Sequence, residues 1–176
     1  MLDMGFLPAI KRLLNALPTH RQTMLFSATL SAELRELAAA TAPNATTVQI
    51  GIVQPANTVT HAIYPVLNER KTDLLIELLH QTKGGSVLVF TRTKHRANRL
   101  SQQLARDGYR VAALHSNRSQ NQRKVAIDGF RDGRFQVLVA TDIAARGIDI
   151  DRVGHVINYD IPDTPDAYIH RIGRTG

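Results

Sequence analysis

Cysteine is absent from the 176 residues. That excludes a disulfide scaffold, thiolate metal sites and a cysteine nucleophile. Tryptophan is absent too, and only 5% of the chain is aromatic. A sheet that reads bases by stacking them on an aromatic row is therefore not expected. The apolar runs are a few residues long, against the ~20 needed to cross a bilayer. No cationic stretch followed by an apolar block opens the sequence, as a signal peptide would require. Gly-x-x-x-x-Gly-Lys-Ser/Thr does not occur, so the backbone cradle and lysine of a nucleotide phosphate loop are missing. The expectation is a soluble, cytoplasmic protein with no membrane contact, of roughly one domain of 100–200 residues.

What is present is positive charge, unevenly spread. The chain carries a net +7. Residues 92–123 hold Arg92, Lys94, Arg96, Arg99, Arg106, Arg110, Arg118 and Arg123 against Asp107, so this window alone accounts for the excess. Arginine outnumbers lysine 17 to 5, and the guanidinium fork matches phosphate better than an ammonium does. Basic helix faces are often merely solvated; the alternative is a polyanion partner.

Apolar spacing predicts helices over 2–17 and 31–41, short strands over 22–27 and 46–50, and an irregular stretch from Gly51 to Asn57 that reads as a linker. Beyond it the pattern alternates. Strands are expected over 59–67, 86–91, 110–114, 136–141 and 154–159, and helices over 71–82, 94–107, 119–131 and 165–172. Near-continuous apolar strands alternating with helices imply an α/β fold, a parallel sheet with helices on both faces.

In such sheets ligands sit beyond the carboxyl ends of the strands. Those exits read Ser27-Ala28-Thr29, Thr91-Arg92-Thr93-Lys94, His115-Ser116-Asn117-Arg118, and Thr141-Asp142 running on to Arg146-Gly147. Hydroxyls, helix amides and arginines gathered on one edge suit phosphate groups. Taken singly each has a plainer reading: Ser27, Thr29 and Ser119 as helix caps, Gly84-Gly85 as a turn, His115 as a partly buried polar residue.

Five motifs occur in order: Ser27-Ala28-Thr29, Val87-Leu-Val-Phe-Thr91, Gln120-x-x-Arg123, Ala140-Thr-Asp-Ile-Ala-Ala-Arg-Gly-Ile-Asp149 and His170-Arg-Ile-Gly-Arg-Thr-Gly176. Together they resemble the DEAD-box ATP-dependent RNA helicases over essentially the whole chain. Met1-Leu-Asp-Met-Gly-Phe6 resembles the segment following the family's acidic box, and Phe90-Thr-Arg-Thr-Lys-His95 looks most like the bacterial RhlE-type subgroup.

The resemblance implies a RecA-like fold, with 1–42 the end of a first RecA-like (ATP-binding) domain, 43–57 a linker, and 58–176 most of a second. It implies ATP with Mg2+ in the intact enzyme, although the phosphate loop, the paired-acid box and the metal ligands are not in this sequence. Arg174, Arg171 and His170 would be the catalytic set, Arg174 as a finger toward the γ-phosphate and Arg171 paired with the acidic box of the first domain. Asp149, Gly147 and Arg174 would bind the nucleotide, Asp149 through its ribose. Thr91, Arg92, Gln120, Arg123, Thr141 and Gly147 would line an RNA backbone without reading its bases. Ser27, Ala28 and Thr29 would couple nucleotide state to strand separation.

The resulting expectation is one part of an RNA helicase, inactive in ATP turnover without its first RecA-like domain. A stand-alone, nonspecific RNA-binding or competitor module is the second reading, and a DNA-directed translocase the third. Apolar faces in 1–42 (Leu2, Phe6, Ile10, Leu13, Leu25, Phe26) suggest self-association through that segment.

Overall fold

In a computed structural model, residues 6–27, 32–48, 59–82, 85–145 and 153–175 are described. The chain divides into two compact units, 1–53 and 54–176.

The first unit holds α1 (Leu7–Ala16) and α2 (Ala32–Thr41). Pro8 opens α1, where its missing N–H costs nothing. Leu37 is the one buried apolar residue described in this unit, whereas Leu13, Met24 and Phe26 stand largely in solvent. Residues 22–27 and 46–48 are not strands. Their apolar composition fits a strand, but no ladder partner lies among the described residues, and an unpaired strand leaves its backbone groups to water.

The second unit contains α3 (Lys71–Gln81), β1 (Val87–Phe90), α4 (Lys94–Arg106), β2 (Val111–Leu114), α5 (Gln120–Arg131), β3 (Val137–Ala140), α6 (Asp142–Ala145), β4 (His155–Asn158) and α7 (Pro165–Ile172). The four strands make one sheet in the order β2-β3-β1-β4, and every pairing is parallel. All eight residues of β1 and β3 are buried, because the central strands of a parallel sheet are covered on both faces.

Alternate residues feed two cores. Val87, Val89, Val137 and Val139 meet Leu75 and Leu79 of α3 and Ala97, Leu100 and Leu104 of α4. Leu88, Phe90, Leu138 and Ala140 meet Ala126 and Phe130 of α5 and Ala144 and Ala145 of α6. A period of two along a strand sends neighbours to opposite faces, so one run of apolar residues anchors helices on both sides.

The helices begin where the sequence supplies caps. Thr93 and Thr164 accept the third amide of α4 and α7. Ser119 and Gln122 cap α5 reciprocally, the capping-box arrangement. Gly108 ends α4 at φ 88°, a left-handed angle that suits glycine.

The strand expected over 59–67 is not formed: these residues are irregular and pass into a 3-10 turn, Asn68–Arg70. Pro65 lies in its middle and has no amide for a ladder. Ile63 and Leu67 are accordingly exposed.

Candidate functional site

The strand exits bring several of the expected site residues to the carboxyl edge of the sheet. Thr91 follows β1 and Thr141 follows the adjacent β3, and the Thr91 amide donates to the Ala140 carbonyl at 2.9 Å. Arg123 reaches across from α5 and donates from Nη2 to the Ala144 carbonyl of α6 at 3.2 Å. Gln120 opens α5 and is exposed. His170 and Arg174, at the end of α7, border a cleft of about 20 Å³ with Phe90, Asp142 and Arg171. That room takes about one water.

Ser27 is exposed in the first unit. Ala28, Thr29, Gly147 and Asp149 lie outside the described residues. Among the described residues no three His, Asp or Glu side chains converge to hold a metal.

Three of the expected contacts take a different form. The Thr91 side chain is fully buried, its hydroxyl facing the Thr93 carbonyl at 3.4 Å. Its outward contribution is therefore the loop it starts, not its hydroxyl. Arg92 is exposed but bridges to Asp163 at 2.8 Å and to the Ile161 carbonyl at 3.4 Å.

Arg171 departs furthest from expectation. It is 3% exposed, and Nε and Nη2 grip the two oxygens of Asp142 at 2.6 and 2.7 Å. Nη1 donates to Asn158 Oδ1 at 2.8 Å and to the Asp160 carbonyl at 2.7 Å. The guanidinium also stacks over Phe90 at 4.9 Å. Four of its five donors are thus spent inside the unit, and the fork is not presented to an outside carboxylate.

Two further polar centres lie in this unit, one absent from the sequence expectations and one, His115, expected as a partly buried polar residue. Asp160 is buried and collects Arg96 Nη1 at 2.5 Å, the Arg92 amide at 2.9 Å and Lys71 Nζ at 3.5 Å. It ties the start of α3, the β1–α4 loop and α4 to the exit of β4. Its position two residues past β4 was the available signal, since the exit rule applies to β4 as it does to β1.

The second centre is His115. It is 1% exposed, with Nε2 2.9 Å from Asn98 Oδ1. Arg118 Nη2 donates to that same oxygen at 3.2 Å, so Oδ1 is the acceptor and Nε2 carries the hydrogen. Nδ1 is then a buried acceptor without a partner. Burial, and then the charges of Arg118, Lys94 and His95, hold the imidazole below its ordinary pKa.

This geometry can be set beside known proteins. The model of the helicase conserved C-terminal domain matches residues 70–176. The chain belongs to that family. ATP-dependent RNA helicase RhlB of Pseudomonas putida is 42% identical over 181 residues, covering 99% of this chain and 45% of the relative. DEAD-box ATP-dependent RNA helicase CshA of Bacillus licheniformis is 40% identical over all of this chain and 36% of its own length. Among solved structures, S. cerevisiae Dbp5 bound to RNA and ADP BeF3 aligns with a TM-score of 0.79 at 37% identity, covering 96% of this chain and 45% of that one. E. coli SrmB, a DEAD-box protein bound to regulator of ribonuclease activity A, aligns at 0.59 with 45% identity over 62% of this chain and 64% of that one. The chain therefore carries the C-terminal domain of a DEAD-box RNA helicase in a RecA-like fold. It spans under half the length of the curated relatives named here, and these matches do not single out the RhlE-type subgroup.

Proposed function

We propose that residues 58–176 act as the second RecA-like lobe of an ATP-dependent RNA helicase, with 1–42 the end of the first lobe and 43–57 the linker. The lobe grips the RNA backbone along the carboxyl edge of its sheet, through Arg123, Gln120, Thr141, Gly147 and the loop from Thr91 to Thr93. Arg174 and His170 face a nucleotide held with Mg2+ by the first lobe, Asp149 meets its ribose, and ATP hydrolysis drives local unwinding. Ser27, Ala28 and Thr29 couple the nucleotide state to the strand, and the protein works in the cytoplasm.

The observation that carries this reading is the convergence of Thr91, Thr141 and Arg123 at adjoining strand and helix ends, with His170 and Arg174 on the neighbouring cleft. Hydroxyls, amides and arginine donate to phosphate oxygens and carry no base code. Arg171 supports the site by holding α7, the helix that leads into Arg174.

The test is RNA binding by the 176-residue chain over a salt series. Log affinity should fall linearly with log salt, with a slope of about −0.7 per single-strand phosphate contacted. Arg123→Ala should weaken all sequences alike. Salt-independent binding, or a sequence-selective loss, would count against the reading. The chain alone should hydrolyse no ATP above background with or without RNA, since it carries neither phosphate loop nor acidic box. RNA-stimulated turnover would show that the first lobe is dispensable.

A stand-alone RNA-binding module is favoured by one observation: Arg92, Arg96, Arg99, Arg106 and Arg110 are all exposed. Under that reading the chain binds RNA as tightly as a full-length relative does in the absence of ATP.

A further inference from the structure

β2 forms one edge of the sheet, and no described strand lies beyond it. The Arg110 and Leu114 carbonyls accept from Val137 and Thr141 on the β3 side. Alternate residues of a parallel strand face the same neighbour, so the amide and carbonyl of Val111 and of Ala113 point to the open side. Along that side, between α4 and α5, runs a groove of about 390 Å³, a size typical of built ligand sites.

Short side chains make the room: Ala105 of α4, Ala112 and Ala113 of β2, and Ala126 of α5 line it. Val125 stands on its wall, 46% exposed. Arg118 is the cation in the lining, and its buried Nε has no partner. The guanidinium is the positive charge at the groove, and a carboxylate entering it would meet that charge.

We propose that this groove takes an extended, acidic segment of a partner protein, added to β2 as a further strand, with apolar side chains among the alanines and a carboxylate on Arg118. The edge offers both donors and acceptors at two-residue spacing, which a peptide backbone complements. Phosphate oxygens are acceptors only and would leave the outward carbonyls of Val111 and Ala113 unmet. A second copy of this chain fits poorly, since β2 lies within the 92–123 window whose charge equals the net +7. This proposal does not depend on the RNA contacts proposed above.

The test uses the isotope-labelled 176-residue chain and an end-capped octapeptide alternating valine and aspartate. Amide shifts should concentrate at Val111–Ala113 and Val125, and the Val111 and Ala113 amides should exchange with solvent more slowly at saturation. Arg118→Ala should weaken binding about tenfold, the scale of one charge-assisted hydrogen bond. Arg118 also braces Asn98, so Val125→Glu, on a half-exposed side chain, gives an independent reading and should weaken binding similarly. A version with lysine for aspartate should not bind. The proposal fails if millimolar peptide moves no amide at β2, if the lysine version binds equally, or if N-methylating alternate peptide amides changes nothing. It also fails if oligouridylate, rather than the peptide, slows exchange at Val111 and Ala113.

Discussion

Arg171 and Asp142 are joined by two parallel bonds of 2.6 and 2.7 Å, with the arginine buried against Phe90. The pair links the residue after Thr141 to α7, the helix that leads into Arg174, so one bridge fixes the exit of β3 relative to α7. Removing one partner of a buried pair strands the other. Arg171→Ala should cost about 3 kcal/mol, read as a lower urea midpoint. Arg171→Lys should recover little of it, because an ammonium cannot reproduce the bidentate fork.

Asp160 should rank with Arg171. Asp160→Asn removes the charge facing Lys71 and Arg96 and turns an NH2 toward one of the three donors the carboxylate now receives. A loss of about 2–3 kcal/mol is expected. Amide exchange should quicken at Arg92, whose N–H donates to Asp160. Unchanged exchange there would show that the β1–α4 loop is held by other contacts.

His115 makes stability fall in mild acid. Its folded-state pKa is lowered from 6.5, first by burial and then by the nearby cations. The unfolded chain therefore binds the proton more readily. The stabilisation is complete above about pH 6.5 and is lost as pH falls toward the folded-state value. The urea midpoint should drop between pH 7.5 and pH 5.5, and His115→Gln should flatten that part of the profile. An identical profile in the variant would assign the acid response to other groups.

Ser119→Ala should cost about 1 kcal/mol, the usual worth of an N-cap. Exchange should speed at the Gln122 amide, now bonded to the Ser119 hydroxyl. The rest of α5 is held by Ala126 and Phe130 in the core and should be little affected.

Local signals were the legible ones. β1 and β3 end within one residue of expectation because uninterrupted Val-Leu-Val runs mark a strand covered on both faces. α7 falls on its expected bounds because Thr164, Pro165 and Gly173 spell out its start and stop. The stretch 59–67 has the apolar content of a strand, but Pro65 supplies no ladder amide and no partner strand lies beside it among the described residues. Arg171 and Asp160 were harder. Asp142 lies 29 positions from Arg171, and Lys71 lies 89 from Asp160. No spacing rule reaches that far, so a buried ion pair looks in the sequence like two ordinary surface charges.

The interleaved strand order has a consequence for how the chain is made. Val87 pairs with Val137, and again with His155 on the other side. At synthesis rates of about 5–20 residues per second, β1 waits roughly 3–10 s after leaving the ribosome before its first sheet neighbour emerges. Throughout that interval Val87-Leu-Val-Phe90 is an apolar strand with two bare edges. A nascent chain arrested before residue 137 should be a strong chaperone client, and one released past residue 160 should not.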